Sequence, residues 1–257
     1  MKTLCIMVTI IAVFTSISYA LIEPEDALIL YMSFDTIEGD EAIDHSKYGN
    51  NGTIVGNPEH VEGQFGKALK LNGSSDWIEI PHHETLTVDE AVTVMAWINP
   101  ERISGPNNAQ WQGILAKSNG PRSYSFYTET GKGCLHFSVN GGGSSCDGKV
   151  VENQWQHVAA QVSDGFHRYW IDGKNVGEYG GKANPPGAAD TMNVFIGKTH
   201  EGAREFMGLI DEVRIWSRAL TEDEISEQME KGHFELFPVD PRQKLTTTWG
   251  TIKANKR

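Results

Sequence analysis

The feature that most constrains this chain is a long succession of short segments in which apolar and polar residues alternate. The succession runs from Ala27 to about Trp216, and Val92–Ile98 is its clearest member. A period of two places alternate side chains on opposite faces of a strand. Gly, Asn, Pro and Asp end each segment after a few residues. The sequence therefore predicts an all-β fold, a two-sheet antiparallel sandwich in one domain.

Twelve segments are predicted to be strands. Asp164-Gly165 and Asp172-Gly173 join three of them into a meander, because an Asp-Gly pair adopts the positive φ angles of tight hairpin turns. The predicted strands are Leu28–Phe34, Lys67–Leu71, Trp77–Pro81, Val92–Ile98, Gly113–Lys117, Ser123–Tyr127, Leu135–Val139, Gln156–Val162, Phe166–Ile171, Asn175–Tyr179, Asn193–Gly197 and Phe206–Trp216.

One short helix is predicted after the last strand. Thr221 and Glu224 have the spacing of a capping box, and Leu220 with Ile225 that of a hydrophobic staple. The helix should end near Gly232 and pack on the sandwich. Residues 233–257 are polar, with two prolines and a basic end, so we expect a flexible C-terminal tail.

The first twenty residues have the pattern of an export signal. Lys2 precedes an apolar run from Leu4 to Phe14, and Ser18-Tyr19-Ala20 supplies small residues for cleavage after Ala20. The run is shorter than the roughly 20 residues that span a bilayer. We therefore expect a signal peptide at 1–20, a mature domain at 21–232 and a secreted, extracellular or periplasmic protein.

Charge and cysteine content narrow the possible partners. The net charge is −12, and removing Lys2 with the leader makes it −13. Such an acidic chain repels phosphate backbones and anionic lipid, which argues against nucleic acid and membrane partners. Cys134 and Cys146 remain after cleavage, and an even number in an exported chain favours a disulfide. Zinc is the poorer alternative, since it needs about four ligands.

Several blocks of the sequence follow one another in a recognisable order. They are Ser33-Phe34-Asp35, Asp44-His45-Ser46, Gly49-Asn50-Asn51-Gly52, Gly66-Lys67-Ala68-Leu69, Asp76–Pro81, Thr93–Ile98, Trp155–Ala159, Tyr169–Gly173 and Gly208–Trp216. In this order they resemble the laminin-G-like jelly-roll domain of the concanavalin A-like lectin/glucanase superfamily, over about Leu28 to Gly232. The resemblance implies a jelly-roll sandwich and says little about the ligand.

The resemblance also implies a structural calcium ion. Carried over residue by residue, it assigns the metal to Asp35 and Asp211, with backbone carbonyls near Asn72 and Gly73. Calcium takes about six to eight oxygen ligands, and two carboxylates would neutralise it. The alternative is that both aspartates are turn or edge residues that accept backbone hydrogen bonds.

Ligand recognition is expected in the loops between strands. A sandwich lectin binds sugars with aromatic faces and paired polar groups. Tyr124 and Tyr127 should lie on opposite faces of one strand, so at most one faces a groove. The alternative for Trp111 is a lid over the core, and for His200 and Arg204 a solvated turn. The candidate ligand residues are Trp111, Asn108, Tyr124, His200 and Arg204.

The sequence gives less support for an enzyme than for a binding module. Glycoside hydrolases of this fold need two carboxylates in one groove, and no Glu-x-Asp-x-Glu strand occurs. The adjacent Asp211 and Glu212 should leave opposite strand faces. His157 has no serine, cysteine or carboxylate at a spacing that would activate it, so we interpret it and Trp155 as structural, with His157 satisfying a buried hydrogen bond.

Three hypotheses for function follow. The leading one is a secreted, non-catalytic binding module that recognises a glycan or polysaccharide. The first alternative is an adhesion domain that binds an extracellular protein. The second is a polysaccharide-active hydrolase, because carboxylates from distant strands can converge in space.

Overall fold

The computed structural model describes residues 25–103, 111–118, 122–129, 131–139, 142–180, 191–202 and 204–233. The predicted leader, Asn108 and the predicted tail beyond His233 lie outside these ranges. The strands are β1 (Leu28–Glu38), β2 (Glu41–Asp44), β3 (Gly52–Val55), β4 (Glu59–Glu62), β5 (Lys67–Asn72), β6 (Trp77–Ile80), β7 (Val92–Pro100), β8 (Trp111–Lys117), β9 (Tyr124–Glu129), β10 (Cys134–Ser138), β11 (Gly142–Ser145), β12 (Gln156–Ser163), β13 (Phe166–Ile171), β14 (Lys174–Gly180), β15 (Val194–Ile196) and β16 (Met207–Trp216). A 3₁₀ helix covers Glu84–Leu86, and α1 covers Glu222–Met229.

All twelve predicted strands are present, which confirms the all-β prediction. Both Asp-Gly turns have positive φ at both positions: 51° and 80° at Asp164 and Gly165, 50° and 72° at Asp172 and Gly173. These turns join β12, β13 and β14 into the predicted meander.

Antiparallel hydrogen bonds connect fourteen strands in the order β11-β10-β9-β8-β15-β6-β3-β2-β1-β16-β7-β12-β13-β14, and β5 pairs with β16 and β4. The residues at the start of β1 pair with β16, and its last residues pair with β2. One half of this order ends at β11 and the other half ends at β14, and the two halves face each other as a jelly-roll sandwich. A hydrogen bond joins them, since the Phe137 amide on β10 donates to the Tyr169 hydroxyl on β13 at 3.2 Å.

The core lies between the two halves. One continuous cluster of buried side chains includes Ile98 and Val158 from one half and Phe126 and Phe137 from the other. Burial of one such side chain contributes about 1.5–3 kcal/mol. The alternating residues on the opposite side of β8, β9 and β10 are thereby turned away from this core.

The sequence did not predict β2, β3, β4 or β11, and in β11 two of the four residues are glycines. The Cys134–Cys146 disulfide is present and lies at the base of the β10–β11 hairpin, with the Cα atoms 4.5 Å apart. Tyr179 lies against Gly143, where a Cβ atom would come within 2.4 Å of its ring. A packed ring and a covalent closure thus hold a segment of low strand propensity in the sheet.

The helix has the predicted capping box between Thr221 and Glu224. Leu220 and Ile225 are buried in a second apolar cluster on the outer side of the sheet. The helix ends at Met229, three residues before the predicted end at Gly232. In the described ranges, no helix is long and apolar enough to cross a membrane.

Candidate functional site

Three rings meet on the outer face of β8, β9 and β10. Trp111 lies 4.7 Å from His136 and 6.0 Å from Tyr127, and Tyr127 lies 5.7 Å from His136, all measured between ring centroids. Tyr127 and His136 are directly paired across the ladder, and Gly113 is the β8 partner of Tyr127. We call Trp111, Tyr127 and His136 the aromatic cluster.

The described part of the loop before β16, residues 198–202 with Arg204 and Glu205, crosses this face beside the aromatic cluster. Gly113 makes the crossing possible, since a Cβ atom there would come within 2.5 Å of Thr199 Cγ2. The Gly113 amide donates a 2.9 Å hydrogen bond to the Arg204 carbonyl. Because glycine has no Cβ atom, Gly113 allows the loop to lie directly on the sheet, and its amide holds the loop there.

Two arginines border the aromatic cluster. The guanidinium carbons of Arg122 and Arg204 lie 5.9 and 5.8 Å from the Tyr127 ring centroid. Both cations bond Oε1 of Glu201, Arg204 at 3.1 Å. Burial alone would raise the pKa of Glu201, but hydrogen bonds from Arg122 and Thr199 and the two positive charges lower it below its usual value. We call Arg122, Arg204 and Glu201 the arginine clamp.

His136 acts as a neutral group in this face. Burial, followed by the charge of Arg122, lowers its pKa to about 4. Its Nδ1 is hydrogen-bonded to Ser144 Oγ at 2.6 Å. At neutral pH the ring therefore offers a stacking face and a hydrogen-bonding nitrogen, with no charge of its own.

A second aromatic patch lies across the loop. Lys198 Nζ is 3.8 Å from the Trp77 centroid and 4.7 Å from that of Phe195. His200 packs on Phe195 at 4.5 Å, and its Nε2 donates to the Asn193 carbonyl at 3.0 Å. The Trp77 and Phe195 rings of this patch are therefore already in contact with the ammonium group of Lys198.

The structure thus groups the predicted ligand residues unevenly. Trp111 and Arg204 lie together, and His200 belongs to the second patch. Placing Tyr124 at a ligand site was wrong, because it is buried in the core and its hydroxyl donates to the Leu86 carbonyl at 2.9 Å. Its opposite-face neighbour Tyr127 is also buried, with 1% exposure, but it packs against Trp111 on the outer face. Tyr127 was visible from strand alternation, whereas His136, Arg122 and Glu201 were not singled out.

Asp35 and Asp211 form a separate acidic site at the turn between β4 and β5. The Lys67 amide donates to Asp35 Oδ1 at 2.7 Å, and the amides of Gln64 and Phe65 donate to Asp211 Oδ2 at 2.9 and 3.1 Å. Gly66 allows this approach, because a Cβ atom there would overlap Asp35 Oδ1. The turn therefore lies directly on both carboxylates.

The backbone is strained next to each aspartate. Phe34 and Glu212 have φ angles of 57° and 53°, in the left-handed region that non-glycine residues rarely adopt. The β16–β7 register shifts between Asp211 and Arg214. Because of this bulge, Asp211 and Glu212 do not follow the simple opposite-face pattern expected from the sequence, and both are fully buried.

One carboxylate oxygen of each aspartate accepts no hydrogen bond from the described residues. Asp35 Oδ2 and Asp211 Oδ1 are buried and have no hydrogen-bond partner within the described part of the chain. Burial, followed by the charge of Glu212, raises the pKa of Asp211 to about 8. Burial also raises the pKa of Glu212 to about 7, although the charge of Arg214 opposes it. Free, buried carboxylate oxygens fit a hard cation such as calcium.

Asn72 and Gly73 do not join this acidic site. They lie at the end of β5 opposite Lys67, and the Gly73 carbonyl accepts from Arg102 Nη2 at 3.3 Å. The Asn72 side chain accepts hydrogen bonds from the amides of Ser74 and Ser75 in its own turn.

Across the described ranges, one group of three side chains with metal-binding atoms lies within 4.8 Å, Glu129 with Cys134 and Cys146. Its sulfurs form the disulfide, so it holds no metal.

Comparison with known proteins agrees with the jelly-roll architecture. A family model described as "Concanavalin A-like lectin/glucanases superfamily" matches residues 72–226. The chain is 27% identical over 147 residues to adhesion G-protein coupled receptor V1 of Danio rerio, a match that covers 52% of this chain and 2% of the receptor. The chain thus corresponds to a very small part of that relative.

Two solved structures share the fold at low identity. Domain 4 of AbnA, a GH43 extracellular arabinanase from Geobacillus stearothermophilus in complex with arabinotriose, has a TM-score of 0.63 and 21% identity, over 78% of this chain and 97% of that one. The binding domain of Paraclostridial Mosquitocidal Protein 1 has a TM-score of 0.63 and 15% identity, over 79% of this chain and 51% of that one.

Proposed function

Since this chain belongs to the laminin-G-like family of the concanavalin A-like lectin/glucanases superfamily, we propose that it is a non-catalytic module that binds glycan. The ligand lies on the aromatic cluster, between Trp111 and the arginine clamp. We further propose that the protein is exported, with cleavage after Ala20, and that calcium bound by Asp35 and Asp211 stabilises it. The disulfide agrees with an oxidising compartment.

The observation that carries this proposal is the meeting of Trp111, Tyr127 and His136 on one sheet face. Aromatic faces stack on the C–H faces of sugars, and sugar hydroxyls need nearby donors and acceptors. Arg122 Nη1 bonds Ser138 Oγ at 3.1 Å beside the cluster, so donors and acceptors lie next to the rings. The arabinotriose in domain 4 of AbnA supports a sugar on a fold of this kind.

A catalytic role has less support. Asp211 and Glu212 are fully buried, and Glu201 is bonded to two arginines. None of these carboxylates is placed as a free acid or base beside the aromatic cluster.

Replacing Trp111 with alanine is expected to weaken binding of an oligosaccharide identified on a glycan array by at least about tenfold. The loss follows from removal of the stacking surface. Isothermal titration calorimetry measures it, with Tyr48→Ala as the matched control, because Tyr48 is a partly exposed ring that lies beside Lys47 and Asp26. Equal affinities of Trp111→Ala and the parent protein would contradict the proposed location of the site.

Calcium is expected to raise the melting temperature, and a chelator to lower it by a few degrees. Asp211→Asn should remove this response. The same variant should be at least as stable as the parent in chelator, since the raised pKa of Asp211 means that its neutral form suits the apo site. Magnesium is the control ion, because it dehydrates reluctantly. A melting curve that chelator leaves unchanged would contradict the calcium site.

A protein-binding adhesion domain is the second candidate. The similarity to part of an adhesion receptor favours it. A glycan array without signal for protein that is folded in calcium buffer would support this candidate over the first. Turnover of a polysaccharide would instead support the hydrolase alternative.

A further inference from the structure

We infer that the glycan bound here carries an anionic group, the carboxylate or sulfate of an acidic sugar, and that Glu201 occupies the place of that group in the free protein. This inference rests on the proposed function, because it assigns the ligand's charge to the same face.

The geometry of the arginine clamp is that of an anion site. Two guanidiniums from different parts of the chain, Arg122 before β9 and Arg204 before β16, converge on a single oxygen of Glu201. Arginine is the side chain best suited to planar recognition of carboxylate or sulfate groups. Both cations border the buried Tyr127 ring, which contacts Trp111, so an anion held by them would belong to a sugar stacked on Trp111, a partly exposed ring of the cluster.

The local charge differs in sign from that of the whole protein. The chain carries −12, yet the clamp contains two cations and one carboxylate. Among the described residues, Glu129 beside the cluster is ion-paired with Lys132 at 2.7 Å, and Lys198 and Glu205 at the two ends of the loop carry opposite charges. His136 is neutral, so the face keeps an excess of one positive charge. An unbalanced arginine beside stacking rings selects for an anion.

The Glu201 side chain lies where it can move away from the two arginines. Its side chain is 19% exposed, and its amide is held by the Thr199 hydroxyl at 3.2 Å. At the neighbouring Gly202, an added Cβ atom would meet no described atom within 4 Å, so this part of the loop borders open space. A ligand anion can therefore replace the Glu201 carboxylate while the loop stays anchored at Thr199.

The test compares acidic and neutral oligosaccharides by calorimetry on the full mature chain. The arms are uronic acid oligomers, sulfated oligomers and neutral oligomers of the same length, and they identify which anion is preferred. Arg122→Gln and Arg204→Gln should each weaken acidic binding by about tenfold or more, and should weaken neutral binding by a clearly smaller factor. Arg168→Gln is the matched control, since Arg168 pairs with Glu178 away from this face.

The variant Glu201→Gln is expected to change the affinity for acidic oligomers in the opposite direction. Removing the internal competitor should strengthen acidic binding about threefold or more relative to the binding of neutral oligomers of the same length. Weaker or equal acidic binding by Glu201→Gln would overturn the stand-in role of Glu201. Neutral sugars bound as tightly as acidic ones, with no loss in Arg122→Gln, would overturn the anion site and leave the proposed function intact. Absence of binding to every sugar would overturn both.

Discussion

Replacing Arg214 with methionine is expected to lower the free energy of unfolding by about 3–5 kcal/mol, because it leaves a buried charge without its partner. Arg214 is fully buried and ion-paired with Glu212. Its Nη2 also donates to the Tyr31 hydroxyl at 3.2 Å and to the Lys231 carbonyl at 2.7 Å, and its Nη1 to the Gln228 carbonyl at 2.9 Å. The substitution therefore also removes the cation that satisfies carbonyls at the C-terminal end of α1.

Urea denaturation measures this loss, and hydrogen exchange shows whether α1 opens first. Arg218→Gln is the matched control, because Arg218 is partly exposed and its pairs with Glu25 and Glu224 should contribute less than about 1 kcal/mol. Adding Glu212→Gln to Arg214→Met should recover part of the stability by removing the unpaired charge. An Arg214→Met loss no larger than that of Arg218→Gln would contradict the role given to this buried pair.

Acidification from pH 8 to pH 5 is expected to cost the folded protein about 2 kcal/mol through His157 alone. Burial, followed by the charge of Arg214, lowers the pKa of His157 from 6.5 to about 3. The unfolded chain takes up a proton near pH 6.5, whereas the folded chain does not. The stability contribution is therefore complete above pH 6.5 and is lost as the pH falls from 6.5 toward 3.

The variant His157→Leu should reduce this pH dependence by the same amount. At pH 8 it should cost little, because both ring nitrogens are buried without a hydrogen-bond partner in the described part of the chain. Denaturation at pH 5 and pH 8 measures both effects. His83→Gln is the control, since His83 is exposed and its Nδ1 bonds Thr85 of the short 3₁₀ helix, outside the core. An unchanged difference between the two pH values in His157→Leu would refute the assignment.

The histidine also shows where the sequence interpretation failed. A buried His beside Val158 and Ala159 was expected to satisfy a hydrogen bond, but its Nδ1 and Nε2 have no described partner. Strand alternation places His157 on the same face as Ala159, which lies in the second apolar cluster, and cannot show which groups cover that face. Its ring packs against Trp97, 5.6 Å away, so apolar contact replaces the expected polar one.

The acidic site was half predicted. The resemblance identified Asp35 and Asp211, and the structure brings both under the turn at Gly63–Gly66. It did not place Asn72 and Gly73 there, because a strand's length separates them from Lys67. Local sequence could not reveal the positive φ of Glu212, which depends on the bulge between β16 and β7.

The sequence by itself determined twelve of the sixteen described strands, the Asp-Gly hairpin turns, the helix cap and the pairing of two cysteines. These depend on side-chain alternation, backbone preference and residue count, which act over a few neighbours. The tertiary structure alone decided that Arg122, Glu201 and Arg204 converge beside Trp111 and Tyr127, since loops and strands far apart in sequence form the clamp. Such contacts depend on which strands are neighbours in the sheet, and alternation within one strand carries no information about that order.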